Sequence, residues 1–385
     1  MGHVKALAGL ALVLALAAPA SAAAPGAVLD QLDRLTALAA EDDPIPLLDA
    51  ISDAIAAEPA RFVKPLLTRI RGGGLPERSL AMHLWALGLT GDAAAVEPIA
   101  ALYRESGSAV VQRSSLQALA TLGGARAGEV LAGALRRAED PTARFEILAL
   151  LAQMQHEAVL EAGHALLALE PQQDAWQPVL VFGKLGDKGV PFLLDRIADK
   201  DLRVRTNAIH VLGMWLIAPE AGARLRAAYW TERDRGVREL MLSAVQGTTS
   251  EVGELRRFFE AVLAREAEAD LQETARETLA NLEGLADRAA DFDRLRPAPA
   301  RPFRDVWAQL YRSAGRKGDY EALSAASHAD DEPALKSLRQ RILQRHSNEA
   351  FQDCQKVNQI ILRNRLARSV AALDAAEEPA DGKTP

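Results

Sequence analysis

The chain holds one cysteine, Cys354, in 385 residues. An internal disulfide is therefore excluded, and in an oxidising compartment packing alone must hold the fold. Cys354 reads as a small apolar residue on the inner face of a helix, since free cysteine is among the most buried residue types; the alternatives are a reactive thiol or a disulfide to another chain. Aromatic residues are scarce at 5% and strand formers are few, although hydrophobic residues reach 49%. Ala, Leu and Val carry that apolar load, which suits helix packed on helix. An excess of positive charge is also missing. The formal net charge is −7, and loss of Lys5 with a leader makes it −8, which excludes nucleic acid as a partner of the whole body.

Catalytic signatures are missing too. There is no G-x-S-x-G elbow, no H-E-x-x-H, no Walker loop and no strand-linked G-x-G-x-x-G. Gly72-Gly73-Gly74 lacks the lysine and serine of a phosphate cradle and reads as a flexible connector. His156-Glu157 is a single pair, with His164 on about the same helical side, too little for a metal centre. His83 and His210 fall among apolar neighbours and read as hydrogen-bonded core histidines. The expectation is a chain with no catalytic residues, no cofactor and no metal.

The first residues read as an address. Lys5 supplies a positive start, Ala6 to Ala18 form an apolar run, and Ala20-Ser21-Ala22 fits a small-x-small cleavage site. That run would extend about 20 Å as a helix, short of the roughly 30 Å hydrocarbon core. Residues 1–22 are thus expected to be a signal peptide, and the chain to be exported to the periplasm or beyond. No later segment reaches the roughly 18 uninterrupted apolar residues of a spanning helix, so no transmembrane segment is expected after cleavage.

An internal repeat sets the fold. Segments beginning at Val111, Ala143, Val204 and Val237 place apolar groups four, five, seven and eight positions on, with Ser115 the one polar exception, which is one face of a helix. The last of these positions recurs at Leu87, Leu119, Leu151, Phe182, Leu212, Val245 and Leu279, about every 32 residues. A second apolar pattern lies between them, as in Val190, Leu193, Leu194 and Ile197, so each repeat is two helices. Gly91-Asp92, Gly123-Gly124, Gly186-Asp187 and Gly247-Thr248 are read as the turns after the first helix, where glycine takes a left-handed cap without steric cost. Such a hairpin cannot cover its own apolar face, so neighbours must stack. Pro178, inside the first helix of its copy, predicts a late start or a kink. Arg276, replacing an apolar group in the last copy, suits a terminal repeat.

The pattern at Val204–Gly213, at Val111–Gly123 and at Gly183-Lys184-Leu185-Gly186-Asp187 resembles the HEAT family, in particular the HEAT-like form of phycobilin lyases, with a motif close to V-R-x-x-A-x-x-A-L-G-x-L-G-D. The likeness covers about residues 79–290, with a degenerate copy at 44–71. It implies an all-α superhelical solenoid of about seven to eight hairpins and a scaffold or binding role, since the family hosts mostly such proteins. The domain order expected is the signal peptide 1–22, an N-terminal helical or degenerate repeat 27–74, a solenoid 75–295, a proline-rich connector 296–302, a C-terminal helical region 303–372 and a disordered tail 373–385.

Asp140, Asp201 and Asp234 each stand four residues before an arginine, Arg144, Arg205 and Arg238. A row of anion sites is one reading. The structural reading is preferred: a short acid before a helix satisfies free N–H groups, and an arginine in the first turn bonds loops of the adjacent repeat. The family's Asp/Arg ladder implies the same.

From Pro333 to Val370, Lys336, Arg339, Arg341, Arg345, Lys356, Arg363, Arg365 and Arg368 face only Glu349 and Asp353. Such a helix either shows a solvated face or binds an anionic surface, with Lys336, Arg339, Arg345, Arg363, Arg365 and Arg368 as the contacts. The function expected is a non-catalytic protein-binding scaffold or adaptor of the periplasm or envelope, its second helices presenting Arg104, Arg136, Arg196, Arg226 and Arg257 to a protein partner. The alternative is an envelope adaptor whose basic C-terminal helix binds anionic lipid or glycan. A lyase-type or metal-dependent enzyme on this fold ranks last.

Overall fold

Ser108, Asp140, Asp201 and Asp234 start helices with their side chains, proline opens several others, and the apolar periodicity decides which face turns inward. The computed structural model describes residues 24–38, 44–170, 176–249, 251–283 and 332–343, and helical positions between 354 and 369. The expected signal peptide, the 296–302 connector and the 373–385 tail lie outside the described residues. Among those residues every regular element is helical, giving an all-α, solenoid-like fold. The chain divides into two compact units, Met1–Met154 and Gln155–Pro385.

In the first unit α1 (Pro25–Thr36), α2 (Ile45–Ala57) and α3 (Pro59–Arg71) form an N-terminal group, with α1 and α2 packed on α4 (Glu77–Leu89). The hairpins then run α4–α5 (Val96–Glu105) and α6 (Ala109–Leu122)–α7 (Gly124–Arg137), followed by α8 (Pro141–Gln153). First helices stack in order, α4 on α6 and α6 on α8. A Cβ on Gly88 would come within 3.0 Å of the Ala118 carbonyl oxygen, so α4 and α6 meet nearly backbone to backbone. Arg113 in α6 reaches Glu146 in α8 at 2.9 Å, an ion pair one repeat long.

The second unit continues with α9 (Ala158–Leu167), α10 (Trp176–Leu185), α11 (Val190–Leu194) and α12 (Leu202–His210), the last continued by a six-residue π-helix, Val211–Leu216. Then come α13 (Pro219–Tyr229), α14 (Arg235–Thr248), α15 (Val252–Arg265), α16 (Ala269–Glu283) and α17 (Glu332–Leu343). Pro178 sits in the first turn of α10, where its missing N–H costs nothing.

The repeat marker points inward: Leu87, Leu119, Leu151, Phe182, Leu212 and Val245 are all 0% exposed. In the last copy Leu279 is only half-buried, while Leu271, Ala275, Thr278 and Leu282 are buried and Arg276 faces out. Gly91, Gly123, Gly124 and Gly186 have φ between 61° and 82°, as the turns require. Gly247 does not belong with them. It lies inside α14, which runs through Thr248, and its absent side chain lets the Gly213 carbonyl approach. Its physical reason is close helix packing, not a turn.

Candidate functional site

The Asp/Arg positions are helix starts. Asp140, Asp201 and Asp234 accept from the backbone N–H of Ala143 (2.7 Å), Arg203 (2.9 Å) and Val237 (3.0 Å). Arg144 donates to the carbonyls of Leu135 (3.3 Å) and Ala138 (3.1 Å). Arg205 donates to those of Asp199 (2.8 Å) and Lys200 (3.2 Å), closing the loop before its own helix.

The partners that sequence reasoning missed are two glutamates of the following repeat. Glu232 takes Arg205 through Nε (2.9 Å) and Nη2 (3.3 Å), and also accepts from the N–H groups of Arg233 and Asp234. Arg238 donates to the Glu232 carbonyl at 3.4 Å and stands 3.4 Å from Glu266. Glu266 also accepts from Tyr229 Oη at 2.7 Å. Burial alone would raise the Glu266 pKa, but the Tyr229 hydroxyl, the N–H groups of Glu268 and Ala267 and the Arg238 charge outweigh it, and the carboxyl titrates below its usual range. The only signal in the sequence was a glutamate about one repeat after each arginine. Because Arg205 and Glu232 are largely buried, Arg205→Ala is expected to cost about 3 kcal/mol, seen as a lower melting temperature. An unchanged melting temperature would return Arg205 to the anion-site reading.

Among the described residues a denser polar constellation lies elsewhere, at the end of the π-helix. An α-helix leaves its last carbonyls without partners, and where it ends on a left-handed residue that residue is usually glycine. Here the terminating residue is Ile217, at φ 45° and ψ 46°, a conformation that costs a β-branched residue about 1–2 kcal/mol. Its neighbours' carbonyls are satisfied from more than a hundred residues downstream. Arg339 Nη1 donates to the carbonyls of Trp215 (3.3 Å) and Leu216 (3.1 Å) and to Asn358 Oδ1 (2.8 Å). Asn358 Nδ2 donates to the Trp215 carbonyl at 2.7 Å, and Arg365 Nη1 to that of Ile217 at 2.8 Å. Two positive guanidiniums thus meet the negative end of the helix dipole.

Arg365 turns its remaining fork on Glu332, at 3.0 and 2.6 Å. This pair holds the Glu332 carboxyl below the ordinary range. Leu335, Leu338, Ile342, Val357 and Ile361 close around the Ile217 side chain. The same region caps a second helix: α15 has no side-chain cap of its own, and Ser369 Oγ accepts from the Val252 N–H at 2.8 Å.

The expected exposed basic face therefore needs correction at two positions. Arg339 is 2% and Arg365 4% exposed, and the Nη1 of each serves internal oxygens, because orphaned helix carbonyls attract them more than water does. Lys336 stands 3.8 Å from Asp187 and 3.6 Å from Glu332, and exposed Arg368 bonds Glu332 at 3.3 Å. Arg345 and Arg363 lie outside the described residues. Cys354 is buried, its Sγ 3.6 Å from the Arg339 carbonyl oxygen. Lys184, which the sequence did not single out, is also buried, and desolvation pushes its pKa down to about 8.

Of the second-helix arginines, Arg104, Arg136 and Arg257 are exposed. Arg226 is tied to Thr249 (2.7 Å) and Glu254 (2.6 Å), and Arg196 lies over the Phe192 ring at 4.6 Å. Among the described residues no group of three or more His, Cys, Asp or Glu is placed to hold a metal, and no helix is long and apolar enough to cross a membrane.

His83 and His210 are held below 6.5, in each case mainly by desolvation. His83 Nδ1 is 2.8 Å from the Ser79 carbonyl oxygen, and His210 Nε2 accepts from the Trp215 indole N–H at 3.2 Å. Both groups take up a proton less readily in the fold than in the unfolded chain. Stability is therefore fully present above the unfolded value near 6.5 and falls as the pH drops below it. Melting temperature is expected to decline from about pH 7.5 to about pH 5.5, less steeply in a His83→Gln, His210→Gln variant.

No family model matches the chain, and no curated protein matches its sequence.

Proposed function

We propose that the protein is an exported, non-catalytic scaffold of HEAT-like repeats, whose second helices hold a protein partner in the periplasm or envelope. The observation that carries this reading is Trp230. In a chain with so few aromatics, this one stands 41% exposed at the end of α13, edge-on to Phe258, with Arg265 of α15 lying 5.4 Å from its ring centre. Tryptophan and arginine together on a rigid helical surface are what the centres of protein interfaces are built from. Arg257 on the same helix as Arg265 adds an exposed charge.

The test places a photo-crosslinking side chain at position 230 and, separately, at position 243 on α14, in the native envelope. The reading expects a discrete protein adduct from 230, weakened by Arg257→Glu, and none from 243. Equal adducts from both positions, or none from 230, would defeat it. The mass of the purified chain checks export, which expects a start at Ala23.

A further inference from the structure

In an α-helix residues five apart lie about 140° from one another around the axis, so their side chains cannot meet. The wider winding over Val211–Leu216 brings them together, and Trp215 Nε1 donates to His210 Nε2 at 3.2 Å. That bond marks the π form. The form ends on a left-handed isoleucine, a conformation it would not hold by itself. What holds it comes from the C-terminal region: Arg339, Asn358 and Arg365 on the carbonyls of 215–217, and an apolar cluster around the Ile217 side chain.

We propose that the helix Glu332–Leu343, together with Asn358 and Arg365, is a latch that selects the π form of the helix at 211–216. When the latch is off, the segment returns to α winding, Ile217 leaves the left-handed region, and α13 turns relative to α12. The C-terminal region thereby sets the placement of α13, which carries Trp230 at its end. The latch stands on the hydrogen bonds of residues 210–217 and holds whether or not Trp230 contacts a partner. Coupling of this kind is reciprocal, so each element must stabilise the other.

The experiment uses the full chain and reads hydrogen exchange by mass spectrometry together with the His210 titration by NMR. Arg365→Lys keeps the charge but loses the fork, in a side chain that still fills the site. Amides of 211–218 are expected to exchange about tenfold faster, with the His210 midpoint moving up toward its ordinary value as the turn opens and the burial that lowers it is relieved. Deleting Met214, an exposed residue, shortens the π turn by its surplus residue. Amides of 335–342 should then exchange faster while those of 237–262 keep their protection. The latch is overturned if Arg365→Lys loosens 335–342 without moving 211–218 or His210, or if the Met214 deletion leaves 335–342 as protected as before.

Discussion

Arg365→Ala is expected to cost the second unit about 3–5 kcal/mol, the range for removing one member of a buried ion pair. The side chain is nearly sealed from water and serves three acceptor atoms, both Glu332 oxygens and the Ile217 carbonyl oxygen. Alanine leaves the carbonyl without its donor and the carboxylate with only Lys336 and Arg368, at 3.6 and 3.3 Å. For a unit of this size the loss corresponds to a melting temperature lower by about 10 °C, read by far-UV circular dichroism. Removing both charges, Arg365→Met with Glu332→Leu, should cost less than the single change, because no buried charge is then stranded. A single variant that melts within about 1 °C of wild type would mean that the pair contributes nothing.

Gly213→Val should cost a comparable amount through overpacking. A Cβ on Gly213 would lie 2.5 Å from Ala244 Cα, a backbone atom of α14 that cannot swing aside, and valine adds two methyl groups beyond it. Forcing α14 away separates the two first helices over the buried marker residues Leu212 and Val245. The expected loss is about 3 kcal/mol or more, measured by urea unfolding. Gly133→Ala is the control. The Cβ there meets only the far ends of Arg137 at 3.4 Å and Arg136 at 3.9 Å, so alanine in mid-helix should stabilise by up to about 1 kcal/mol.

The core was legible in the sequence because a helix hides one stripe, and a stripe recurring at constant spacing needs no distant information. Leu87 through Val245 are buried for that reason. The helix starts at Asp140, Asp201 and Asp234 were legible for a similar one, since a cap acts within three residues. Three features were not. Counting charges between Pro333 and Val370 could not say that Arg339 and Arg365 turn inward, because the oxygens they serve lie at 215–217 and at Glu332. The π-helix carries no residue signature; its end is fixed by donors from far along the chain. The division at 154/155 falls inside the expected 75–295 array, beside Gln155, whose φ of 54° no glycine announces.

Repeat is joined to repeat by charged side chains that reach across one hairpin, and Arg205 with Glu232 is the most enclosed such pair. A double-mutant cycle on these two residues, read by urea unfolding of the second unit, tests that joining most directly. Stacked repeats require a coupling energy of about 1 kcal/mol or more, whereas a coupling within about 0.3 kcal/mol of zero would mean the two residues do not meet and the hairpins do not stack in this order.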